Sequence, residues 1–247
     1  MEGARRVGKS TIVEKFARNE YRSYILIDFS LVDKNVIDLF DDLTNLDYLL
    51  FGLQTIFRVD LYERESLIIF DEVQFCPRAR QAVKALVKDH RYDYVETGSL
   101  ISIRKNVQNI LIPSEEESIQ MFPMDYEEFC LAVHGADCTV LKKFFDGVLA
   151  PGPAHQNAMR DLRLYMLVGG MPQAVKQYIE TNNFRAVDDA KRRIIDLYEA
   201  DLNKIDPSGS ISKIFDNIPA QLSGKKPGAR FLPFSLTEEH LTHRQRS

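Results

Sequence analysis

The chain contains no tryptophan, and only three of its 247 residues are cysteines: Cys76, Cys130 and Cys138. They are odd in number, widely spaced and form no C-x-x-C pair, which argues against a disulfide framework and gives no zinc-binding pattern. His90, His134, His155, His240 and His243 stand at no metal-ligand spacing to a carboxylate or cysteine. No apolar run approaches the roughly 20 residues of a membrane span, and the N-terminus has no signal-peptide hydrophobic region. The expectation is a reducing, cytoplasmic setting with no membrane partner. A large charge excess is also lacking. The formal net charge of −4 argues against a strongly basic nucleic-acid-binding chain and leaves a local basic patch open. What is there is the composition of an ordinary globular protein, 45% hydrophobic and 28% charged, long enough for one large or two small domains.

Gly3-Ala4-Arg5-Arg6-Val7-Gly8-Lys9-Ser10, followed by Thr11, fits G-x-x-x-x-G-K-[ST], the pattern of a phosphate-binding loop. The two glycines let the backbone curl so that successive N–H groups face an anion. Lys9 would reach the outer phosphates as a point charge, and Ser10 would offer its hydroxyl to Mg²⁺. A helix is predicted from Lys9 onward, with Ile12, Val13 and Phe16 apolar, its positive end toward the anion. The bland alternative is a glycine-rich turn before an ordinary helix. A strand normally delivers such a loop, yet only Met1 and Glu2 precede Gly3. The expectation is therefore a sheet whose first strand is missing.

Tyr24–Phe29 and Leu67–Phe70 are apolar runs that read as strands buried on both faces. The second ends in Asp71-Glu72, at the strand end where ligands bind in open α/β sheets. Asp71 suits the Mg²⁺ shell, and Glu72 suits orienting or deprotonating an attacking water. Gln74 could join their network. Asp28 closes the first run either as a turn carboxylate or as a site residue. Tyr92–Glu96 predicts another strand, and Thr97 or Ser99 just past it could sense the outer phosphate. Ile119–Phe122 predicts a last strand. Between these lie helical patterns: 35–40, a stretch capped by Asn45, and one opened by Pro77, where Arg78, Arg80, Lys84 and Lys88 read as a solvated face. Pro123–Asp125 opens a further helix through Tyr126, Phe129, Cys130 and Val133.

Ala150-Pro151-Gly152-Pro153 is the best linker candidate. Helices are predicted over 155–167, from Pro172 after the Gly169-Gly170 break, and from Asn183 to about Lys204. Arg192 and Arg193 read as a solvated face before they read as nucleotide contacts. Ile211–Leu222, interrupted by Pro219, predicts two helices.

GARRVGKST (3–11), IFDEVQFCP (69–77), TGSL (97–100), MFPMDYEEF (121–129) and VGGMPQAV (168–175) occur in this order. Together they resemble a prokaryotic group of AAA-superfamily ATPases, in which a helical lid, a winged helix and a C-terminal domain of unassigned function follow the ATPase core. The resemblance implies ATP and Mg²⁺ as ligands. Lys9, Ser10 and Thr11 would lie at the nucleotide, Asp71 on the metal and Glu72 on the water. It also implies an α/β fold: a parallel P-loop sheet at 1–150, an all-helical lid at 151–206 and a partial winged helix at 207–223, with truncation at both ends. Gly224–Ser247 departs from the family; rich in Lys, Arg, His, Gly and Pro, it reads as a disordered or frameshifted tail, with a short ordered hook through Phe231 and Phe234 as the alternative. Two readings follow. One is a Mg²⁺-dependent ATPase that drives a conformational switch and engages itself or a protein client. The other, favoured by the missing strand, is a catalytically silent remnant that binds nucleotide weakly or acts only through protein contacts.

Overall fold

The computed structural model describes residues 1–99, 116–135, 142–143, 146–147, 152 and 154–223. The expected tail and, Gly152 apart, the expected linker lie outside the described residues. The chain divides into two compact units, Met1–Ile195 and Asp196–Ser247.

The first unit is built on parallel strands. β1 (Glu2–Gly3) precedes the glycine loop, and β2 (Ser23–Asp28) and β4 (Asp93–Glu96) flank β3 (Ser66–Asp71). All six residues of β3 are buried, the polar Ser66 and Asp71 at its ends included, and the apolar run 67–70 between them suits a strand covered on both faces of a parallel sheet. A second ladder sets β1 between β5 (Gly98–Ser99) and β6 (Gln120–Met121), again parallel. Only Thr97 separates β4 from β5. Its N–H donates to the Phe70 carbonyl at 2.9 Å, carrying the β3 ladder to the start of β5.

The expectation of a loop without a preceding strand is corrected here. Glu2 pairs with Gly98 on one side and Gln120 on the other, and Gly3 pairs with Ser99 and Met121. The Glu2 N–H also donates to the Ile119 carbonyl at 2.8 Å. Two residues suffice because partners on both sides take up the backbone groups that a short strand would otherwise leave unmet.

Alternation along β3 sorts the core. Leu67 and Ile69 meet Val13 and Ala17 of α1 (Lys9–Glu20) on one face. Ile68 and Phe70 face a larger cluster holding Leu49, Leu50 and Leu53 of α3 (Leu46–Phe57) and Ala79, Ala82, Val83 and Leu86 of α4 (Pro77–Asp89). A short α2 (Lys34–Asp38) adds Val36. The expected start signals operate: the Asn45 side chain accepts from the Tyr48 N–H at 3.0 Å, and Pro77 occupies the first turn of α4. On α1 the buried stripe is Lys9, Val13 and Ala17, whereas Ile12 and Phe16 stay about half exposed.

A separate helical cluster completes this unit. α5 (Tyr126–His134) opens with a capping box between Asp125 and Glu128. Its Phe129 packs with Val168 of α6 (Ala154–Val168), Ala174 and Val175 of α7 (Pro172–Thr181), and Val187 of α8 (Phe184–Ile205). The double-glycine break forms a tight junction in which the Met124 N–H donates to the Gly170 carbonyl at 2.7 Å. In the second unit, Asp206 accepts from Ser208 and Ile211 in the turn before α9 (Ser210–Ser223). The two helices expected around Pro219 are one helix that contains it. Proline removes a single N–H, and the bonds on either side hold the helix together at a local cost of about 3 kcal/mol. Among the described residues, no helix is long and apolar enough to cross a membrane.

Candidate functional site

The glycine loop turns between β1 and α1. Gly8 has φ +100°, a conformation that side-chain-bearing residues avoid. Gly3 lies so close to β6 that a Cβ on it would sit 2.4 Å from the Met121 carbonyl oxygen. Arg6, exposed, also has positive φ, and Val7 beside it is buried.

Four side chains named from the sequence, Lys9, Ser10, Asp71 and Thr97, converge at the start of α1. Lys9 is 6% exposed, and its ammonium donates to the carbonyls of Gly3 at 3.1 Å and Ala4 at 2.9 Å. Burial pushes its pKa down, while the nearby carboxylates of Glu72 and then Asp71 pull it back up. The Ser10 hydroxyl donates to Asp71 Oδ1 at 2.8 Å. Asp71 is itself buried at the end of β3. Thr97, fully buried, donates its hydroxyl to the same Oδ1. Of the two hydroxyl candidates, Thr97 therefore meets the acid. The reading of Ser99 rests on a side chain outside the described residues, its backbone lying in β5.

Glu72 follows in the left-handed region at φ 53°, which turns the chain off the strand into a 3₁₀ turn over Val73–Phe75. Gln74, on that turn, is buried and donates to Glu72 Oε2, so it joins the acidic pair as the sequence suggested. Asp28 ends β2 in register with Asp71, but its carboxylate accepts from the Ser30 N–H and hydroxyl. Of the two readings left open for it, the turn carboxylate is the one its bonds match. Of the remaining loop residues, Ala4 and Arg5 are half-buried, whereas Thr11 is exposed. Arg192 ion-pairs with Asp188 one turn earlier on α8, and Arg193 is exposed.

One expectation about α4 is overturned. Arg80 is not on a solvated face: it is 6% exposed and pairs with Glu96 and with both carboxylate oxygens of Glu116, at 3.0 and 2.7 Å. Its partners lie on β4 and just before β6, and the spacing along α4 carries no trace of them. Two further neighbours of the loop also escaped notice. A Cβ on Gly8 would lie 3.6 Å from Met121 Cε and 3.8 Å from Pro172 Cγ. The only sequence signal for Pro172 was the Gly-Gly-Met-Pro break.

Among the described residues, no group of three or more His, Cys, Asp and Glu is placed to hold a metal by itself. A cation here would have to complete its shell with phosphate and water oxygens. A glycine loop between the first strand and first helix of a parallel sheet, with an acid at the tip of a nearby strand, is the arrangement of an NTPase-type α/β domain. Residues 1–130, more than half of the chain, match a family model described as an AAA domain, and the chain belongs to that family. Residues 159–229 match a model described as a domain of unknown function. No curated protein matches the chain.

Proposed function

We propose that the chain binds ATP with Mg²⁺ at the Gly3–Thr11 loop and hydrolyses it, using turnover to switch conformation. The single observation that carries this reading is the meeting of Ser10 with Asp71 at 2.8 Å beside the buried ammonium of Lys9. A hydroxyl and a carboxylate that close are a hard oxygen pair suited to Mg²⁺, and they are the side chains that would hold it. Bound with nucleotide, Mg²⁺ supplies positive charge against the outer phosphate oxygens.

The chain's own groups account for the rest of the chemistry. The loop amides and the α1 N-terminus face the phosphates, and Lys9 exchanges its carbonyl partners for phosphate oxygens. Thr97 holds the Asp71 carboxylate in place. Glu72 orients the attacking water or takes its proton, and Gln74 fixes the direction of that carboxylate. A nucleotide is the one partner this reading requires. Self-association or a protein client would read out the switch.

Glu72→Gln tests the assignment. It keeps the shape of the side chain and removes its charge, so calorimetric ATP affinity should stay within a factor of two or three while phosphate release falls by roughly a hundredfold or more. Turnover at the parent rate would remove Glu72 from the chemistry. Absence of heat when ATP and Mg²⁺ are titrated into the folded parent chain would remove the whole reading.

A further inference from the structure

Gly8, at φ +100°, caps the start of α1, and its carbonyl accepts the first bond of that helix, from the Ile12 N–H at 3.0 Å. Glycine loses more conformational freedom on ordering than any other residue. A loop that turns its amides toward an anion must therefore order Gly8 beforehand, or the bound anion bears that cost. Two side chains stand against Gly8 on the face where a side chain of its own would be. A Cβ built there would lie 3.6 Å from Met121 Cε and 3.8 Å from Pro172 Cγ, the distances of ordinary packing.

Both side chains are themselves held. Met121 pairs in β6 with Gly3, so one residue reaches both glycines of the loop. Pro172 begins α7, which the buried Ala174 and Val175 anchor in the helical cluster. The two are also tied to each other. Three residues past Met121, the Met124 N–H donates to the Gly170 carbonyl at 2.7 Å, and the Met124 carbonyl accepts from the Tyr165 hydroxyl at 2.8 Å. Gly170 packs so closely that a Cβ on it would lie 2.1 Å from that same carbonyl oxygen. Loop, strand end, glycine junction and helix start thus close a ring of contacts.

We propose, resting on the nucleotide reading above, that Met121 and Pro172 are positioning residues for the phosphate loop. They act through Gly8. By holding its left-handed turn in the ligand-free chain, they leave less ordering for the nucleotide to impose. Cutting either side chain back to Cβ lets the loop leave its competent conformation, and apparent affinity falls with the fraction that stays competent. Turnover of the bound complex changes little, because bound nucleotide then orders the loop itself.

The test uses the full chain and its Met121→Ala and Pro172→Ala variants, both at half-buried positions. Titration calorimetry with ATP and Mg²⁺ gives Kd, phosphate release gives kcat, and hydrogen exchange of the Ile12 amide without nucleotide reports on the loop. Each variant should raise Kd about five- to twentyfold while kcat stays within about twofold. Each should also speed Ile12 exchange by at least about threefold. Met121→Leu refills the space and should stay within about twofold of the parent in Kd and exchange. Val187→Ala controls for lost stability alone. It thins the same helical cluster at a residue that does not touch Gly8, and should lower the melting temperature while Kd and Ile12 exchange stay within about twofold. An unchanged Kd or unchanged Ile12 exchange in both alanine variants overturns the proposal, as does an equal effect of Val187→Ala. If the parent gives no heat with ATP and Mg²⁺, the nucleotide reading is what fails, and Ile12 exchange still decides whether the two side chains hold the loop.

Discussion

Replacing Lys9 by Met keeps the aliphatic stem and removes the ammonium alone. In the ligand-free chain two effects oppose each other. The Gly3 and Ala4 carbonyls, at 3.1 and 2.9 Å, lose a donor, at about 1–3 kcal/mol for under-satisfied buried acceptors. Against this, the substitution removes the burial penalty that already pushes the Lys9 pKa down. The two are of the same order, so net stability should change by no more than about 1 kcal/mol, or roughly 2–4 °C in melting temperature for a chain of this size. In the nucleotide complex nothing offsets the loss. A charge-assisted bond to phosphate contributes about 1.5–3 kcal/mol, which is roughly ten- to hundredfold in Kd. Titration calorimetry with ATP and Mg²⁺, paired with a melting curve of the free protein, reads both quantities. An unchanged Kd would mean that the ammonium never meets phosphate. A melting temperature more than about 10 °C lower would recast Lys9 as a strut of the loop.

Arg80→Met should cost about 3–5 kcal/mol in urea unfolding, because it strands the Glu96 and Glu116 carboxylates that the guanidinium holds. The triple variant with Glu96→Gln and Glu116→Gln should recover most of that loss, and failure to recover would refute the charge argument. Gly170→Ala should lower the melting temperature by roughly 5–15 °C, since its Cβ would lie 2.1 Å from the Met124 carbonyl oxygen. An unshifted melt would mean that the α6–α7 junction yields freely. The Met1 amine gives a pH test. Burial holds its pKa below the usual 8.0, so the unfolded chain keeps this proton to higher pH than the folded one. Stability should therefore rise with pH through a window ending near 8.0 and level off above it. Comparing urea midpoints from pH 6 to 9 with those of the N-terminally acetylated chain isolates this group, and a difference of opposite slope would contradict the assignment.

The sequence by itself determined the parallel α/β core, the loop, the helix that follows it and the acid at the end of β3. These depend on local rules: glycine where the backbone must curl, an unbroken apolar run for a strand buried on both faces, asparagine and proline at helix starts. Lys9, Ser10 and Asp71 were legible as candidates because their residue types and positions match a phosphate-loop pattern with an acid at a strand tip. Tertiary structure decided what depends on distant segments meeting. It set Thr97 beside Ser10 on Asp71, buried Arg80 between carboxylates that α4 cannot foretell, and brought Met121 and Pro172 beside Gly8. It also made a strand of Glu2 and Gly3, which two residues cannot become alone and which these became because β5 and β6 flank them. Periodicity records which face of an element is apolar, and only the packed chain specifies what that face meets.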